Sequence, residues 1–141
     1  MGRPVCPEQE NIVRAICSPD HYDPATGRIS PSLFSGSSTT SVSRLKILPL
    51  EDHWDLFRRH VAKPHQSLEE FGEINVGKLQ GIGRNYQSGP PEKLKPQPVV
   101  LTVEEAPEDW NPAHAEIPQR ISRGLANKIL DSLQRHLPQD R

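Results

Sequence analysis

Cysteine and aromatic residues are scarce in this chain, which has two Cys, two Trp, two Tyr and three Phe. Two thiols cannot build the disulfide framework that stabilises small secreted domains, so packing alone must hold the core. Long hydrophobic runs are also missing. No apolar stretch approaches the roughly 18–20 residues needed to cross a bilayer, and the start Met-Gly-Arg-Pro-Val-Cys has no apolar h-region for secretion. A cytoplasmic protein without membrane contact is expected. Cys6 stands where N-myristoylation requires Ser or Thr, which argues against that anchor. Charge of one sign is lacking too: the formal net charge is −1, and residues 1–70 and 71–141 are each nearly balanced. Strong non-specific nucleic-acid binding needs a net basic field, and this composition supplies none.

What is present points to one domain spanning residues 1–141. The 15 prolines and 9 glycines imply long irregular connections. The expected class is α+β, with a small mixed or antiparallel sheet of about three or more strands packed against two main helices. Flexible loops are expected at 34–41 and 85–98, and a frayed end at 138–141.

Along the chain, Ile12, Val13 and Ile16 behind Pro7 are spaced for a short helix, which would carry Cys17 as a small core residue. The alternation around Leu45 and Ile47 predicts a strand over 41–48. Leu50, Trp54, Phe57 and Val61 form one stripe of an amphipathic helix from about 50 to 63, started by Pro49 and stopped by Pro64. Ser67 to Glu70 has a capping-box pattern. Residues 71–84 read as a strand whose apolar parity slips, so Gly77 or Gly81 is expected to mark a bulge. Pro98 to Val103, apolar at both parities, reads as a central strand. Ile121, Leu125, Ile129 and Leu133 predict a last helix from about 118 to 136.

Two polar sets carry the candidate chemistry. The first is Asn111, His114 and Glu116, read as an amide donor, a general acid or base, and its orienting carboxylate, placed ahead of a helix start. His-Ala-Glu is also the tripeptide of zinc nucleobase deaminases. That site needs a Pro-Cys-x-x-Cys downstream, and no cysteine follows Glu116, so the reaction is excluded. The second set is Arg28, Ser30, Ser41, Ser43 and Arg44, whose hydroxyls and guanidinium groups suit a phosphate or carboxylate. His53, His60 and His65 lack the further ligands a metal requires and read as a solvated helix face, so neither metal nor cofactor is expected. Trp110 within an acidic stretch, together with the basic residues Arg120, Arg123, Lys128 and Arg135, fits a partner surface.

Two functions follow. One is a small binding or regulatory module recognising a protein partner or a small anionic ligand. The other is a small enzyme acting on a nucleotide-like or phosphorylated substrate through His114 and Glu116. Both depend on the two polar sets meeting in space.

Overall fold

Residues 11–18, apolar on alternate pairs, form a strand rather than the helix their spacing indicates. In the computed structural model, which describes residues 2–61 and 63–138, β1 (Asn11–Ser18) lies third from one edge of a six-stranded antiparallel sheet. Ile12 and Ile16 face one core cluster and Val13 the other, so both faces of the strand are covered. A strand buried on both sides shows apolar doublets, and these mimic the i, i+1, i+4 spacing of a helix. Cys17 therefore sits on a strand, just past a register shift between Ile16 and Cys17.

Two-residue strands β2 (Tyr22–Asp23) and β3 (Arg28–Ile29) make a small hairpin. One helical turn, α1 (Ser32–Ser35), leads to β4 (Thr40–Arg44). Thus α1 and β4 take up the ends of the 34–41 segment, leaving 36–39 between them. Helix α2 (Leu50–His60) bears its stripe as expected, with Trp54 and Phe57 buried. His53 departs from expectation: it is fully buried instead of solvated.

Strand β5 (Ser67–Asn75) replaces the capping-box turn and is followed directly by α3 (Val76–Arg84). The parity slip therefore records a change of period from strand to helix, and Gly77 and Gly81 lie in α3 and mark no bulge. Asn75 makes the change by accepting a hydrogen bond from the Lys78 amide, an N-cap that satisfies a donor of the first turn. Within 85–98, β6 (Gln87–Ser88) pairs with β7 (Lys95–Pro96) around a 3-10 turn at Pro91–Lys93.

Residues 98–103 are extended but join no ladder. Leu101 and Val103 are buried while Val100 is 75% exposed, so alternate side chains pack inward. The segment lies across α3, where the Val99 amide donates to the Gly83 carbonyl and Gln80 donates to the Leu101 carbonyl. A Cβ on residue 83 would stand 2.5 Å from the Val99 carbonyl oxygen, so this crossing requires glycine.

Strands β8 (Glu104–Glu105) and β9 (His114–Ile117) complete one side of the sheet, and β10 (Gln134–His136) the other. The strand order is β10-β5-β1-β4-β9-β8. The final helical stretch is shorter than its apolar pattern: α4 (Arg123–Leu130) is capped by Ser122, and Arg135 lies on β10, paired with buried Glu70. The expected frayed end at 138–141 falls largely on residues 139–141, outside the described residues.

Three helices of eleven, nine and eight residues thus accompany the sheet where the sequence indicates two. Helices α1, α3 and α4 share one core with Ile12, Val42, Ile74 and Ile117. On the opposite face α2 is the one helix among the described residues, clustered with Val13, Phe71 and Trp110. Among the described residues no helix is long and apolar enough to cross a membrane.

Candidate functional site

Opposed residues of antiparallel strands share a face. The pairings Val13↔Ser43 and Ser43↔His114 therefore set Val13, Ser43 and His114 in one row on the α2 side. Beside α2 on that face a cleft of about 560 Å³ opens. Val13, Ala15 and Val42 contribute apolar lining, Phe57, His60 and Lys63 come from α2 and its end, and Trp110 and His114 from the loop and strand opposite.

Arg14 is the charged group that defines the cleft. Pairing of β1 with β4 is limited to Ile12↔Arg44 and Val13↔Ser43. Beyond it, the Arg14 guanidinium takes the place of a backbone amide: Nη1 donates to the Ser41 carbonyl at 2.8 Å and Nε to the Leu33 carbonyl at 2.7 Å. Among the described residues no carboxylate pairs with it, and Nη2 has no bonded partner. No unpartnered side-chain nitrogen or oxygen among them is fully buried, so Nη2 keeps some exposure, and Arg14 lines the cleft. Burial without a counter-ion pushes the Arg14 pKa down to about 10, which still leaves it cationic at neutral pH. Nearby His21 has its pKa lowered, first by burial and then by the Arg14 charge. Cys17, also in the cleft, has its thiol pKa raised, chiefly by burial, which leaves it protonated and a poor nucleophile.

His114 is oriented on both sides of its ring. Nδ1–H donates to the Ala106 carbonyl at 2.7 Å, and Nε2 lies 3.4 Å from the Glu108 carboxylate. Glu116, two residues on, is held by Arg3, which also reaches Glu104. His114 and Glu116 both border a second groove with Arg3 and Glu105, and His114 and Glu108 line that groove and the Arg14 cleft alike.

Beneath the cleft lies a closed polar network. Asn111 Nδ2 donates to Ser43 Oγ at 3.1 Å, and Ser43 Oγ is 2.6 Å from His53 Nε2. His53 Nδ1–H donates to the Pro49 carbonyl at 2.9 Å, so in the neutral ring Nε2 accepts from the serine hydroxyl. This resembles a Ser-His pair for nucleophilic attack, but Ser43, His53 and Asn111 are all 0% exposed and no substrate reaches them. The network joins α2, β4 and the loop bearing Trp110. Burial lowers the His53 pKa, with the Pro49 bond opposing.

Of the residues indicated by sequence, Ser41 and His114 line the cleft, and Ser43 and Asn111 meet below it. Arg28 and Ser30 border a separate groove with Tyr22 and Asp23. Ser30 Oγ bonds the Ser32 hydroxyl and accepts from the Ser32 amide at the start of α1. Arg44 is gripped by Glu10 through three hydrogen bonds of 2.7–3.1 Å and lies 3.6 Å from Glu105. Sequence reasoning passed over Arg14, His21 and Lys63. Arg14 had a legible signal: it is a lone charge in the run from Ile12 to Cys17, and such a residue inside a buried strand needs a reason. His21 and Lys63 had none, since they reach the cleft only through tertiary folding. Among the described residues, no group of three or more His, Cys, Asp or Glu is placed to hold a metal ion. Comparison of the chain with protein-family models, with curated proteins and with solved structures gives no match.

Proposed function

We propose that this protein is a small binding module whose cleft takes a small anionic ligand. The observation that carries the reading is Arg14, a cleft-lining guanidinium ordered by two backbone carbonyls, without a carboxylate partner among the described residues, and with Nη2 partly exposed. Leaving a half-buried cation uncompensated is costly, and an anion is the group that would compensate it. Lys63 adds a second cation to the lining, Glu108 adds a carboxylate, and His21 can take a proton when an anion arrives.

A thermal-shift titration with orthophosphate, sulfate and small carboxylates tests this. A ligand that binds only the folded state stabilises it by about 2.7 kcal/mol at a hundred times Kd, which raises Tm by several degrees. Arg14→Met is expected to weaken binding roughly 10- to 100-fold, the scale of one charge-assisted hydrogen-bonded contact. No response to any anion favours a protein partner instead.

A second reading, a small enzyme acting on a phosphorylated substrate, is favoured by the anchoring of His114 at the edge of the same cleft. Its ring is fixed through Nδ1 while Nε2 meets the Glu108 carboxylate, an arrangement suited to moving a proton. In this reading Glu108 orients the imidazole, and Glu116 has its electrostatic partner in Arg3. His114→Gln would then abolish turnover of a phosphate monoester while leaving its binding intact.

A further inference from the structure

The cleft has more in it than an anion requires. Its volume of about 560 Å³ falls in the range of roughly 300–1,000 Å³ occupied by drug-sized ligands, far beyond an inorganic ion. Contacts divide its lining into two groups. Arg14 and His21 interact electrostatically at one part of the cleft. Phe57, His60 and Trp110 form an aromatic wall: the His60 and Trp110 rings stack with centroids 5.3 Å apart at 25°, and Phe57 meets Trp110 edge-on at 5.5 Å.

Trp110 is presented rather than simply packed. It sits in a tight turn closed by reciprocal backbone hydrogen bonds between Glu108 and Asn111, each 3.0 Å. The turn is tied down by Asn111, which donates to Ser43 in the core of the protein. The indole is only half-buried, although burying a large apolar ring would add to stability. A rigid turn that leaves a tryptophan partly open, lining the same cleft as the Arg14 guanidinium, is a pre-ordered stacking platform.

We infer that the ligand of this cleft carries its anionic group on a planar aromatic body, an aryl or heteroaryl phosphate or carboxylate, with the anion at Arg14 and the ring against Trp110 and His60. The inference rests on the anion reading above and adds the ring. Flat rings are the bodies that gain most from an aromatic wall, since π-faces stack irrespective of substituents. Val13, Ala15 and Val42 add apolar surface to the lining, which suits the ring, beside the polar groups of Ser41, Gln66, Glu108 and His114.

Isothermal titration calorimetry of the full chain with orthophosphate, phenyl phosphate and a non-aromatic sugar phosphate decides it. Phenyl phosphate is expected to bind about tenfold more tightly than the sugar phosphate, the scale of a single stacking contact. Trp110→Ala is expected to remove that advantage and leave orthophosphate affinity unchanged. Trp110→Phe retains most of it, and Trp110→Leu, which keeps the turn filled if alanine unfolds the chain, loses it. Equal affinity for the two organic phosphates, with orthophosphate still bound, overturns the aromatic ring but not the anion site. Failure of all three to bind overturns both.

Discussion

The two faces of the sheet are covered to different degrees, and the candidate site follows from the difference. On one face α1, α3 and α4 join Leu101, Val103 and Ile121 in a continuous core whose largest side chains are under 2% exposed. On the other face, among the described residues, α2 alone packs Trp54 and Phe57 against Phe71, and the cleft beside it is lined by Ser41 and His114, with Arg14 entering where β1 and β4 part. A fully covered face can only contribute stability. A half-covered face leaves strand residues beside open space, with a rigid sheet behind them to hold their positions.

Perturbations that break this comparison rank by size. Phe71→Ala is expected to cost about 3–5 kcal/mol, since Phe71 meets Trp54, Phe57 and His53 edge-on and anchors α2 on its face. Urea denaturation reads that loss, and anion binding should weaken with it because α2 supplies one wall. Leu125→Ala on the covered face should cost about 2–5 kcal/mol by the same measurement but leave Kd unchanged under folding conditions. An equal effect of the two variants on Kd would deny the division of labour.

Sensitivity to pH sharpens the contrast. His53 lies on α2 and His21 lines the cleft beside it, and both have pKa values lowered in the folded state, chiefly by burial. Each is held neutral in the fold, while the unfolded chain takes up a proton below the ordinary imidazole value of 6.5. Their contribution to stability is complete above that pH and declines as pH falls toward the depressed folded value. Urea unfolding at stepped pH should show that decline, and His53→Gln should flatten the part due to His53. The smallest effect is expected at Val100, which is 75% exposed: Val100→Thr should change stability by less than about 0.5 kcal/mol.

Much of the fold class was legible because amphipathic periodicity is strong where one face is buried. Helix α2 shows this, with every member of its stripe in the core it was expected to meet. Legibility failed where burial was two-sided or the period changed. In β1, burial on both faces produced helical spacing, and at Asn75 a strand ran into a helix without a turn residue to separate them. Pro98 to Val103 looked central because it is apolar, yet it packs on a helix, a distinction that apolar content cannot make. Site residues were legible only in pieces. Ser41 and His114 reach the cleft through the β4 and β9 pairing. Arg44 looked equally suited to an anion, but Glu10, 34 positions away in sequence, takes its guanidinium. Pairing across such distances has no local signature, and the same is true of the divergence of β1 and β4 that exposes Arg14.

The most direct test of the Arg14 cleft is a side-chain NMR titration, following the Arg14 Nε–H and the imidazole signals of His21, His60 and His114 as orthophosphate is added. Saturable shifts at Arg14 and His21, lost in Arg14→Met while the rest of the spectrum keeps its dispersion, are the predicted result. Linear, unsaturable shifts spread over surface lysines and arginines, with Arg14 unmoved, would contradict the anion site.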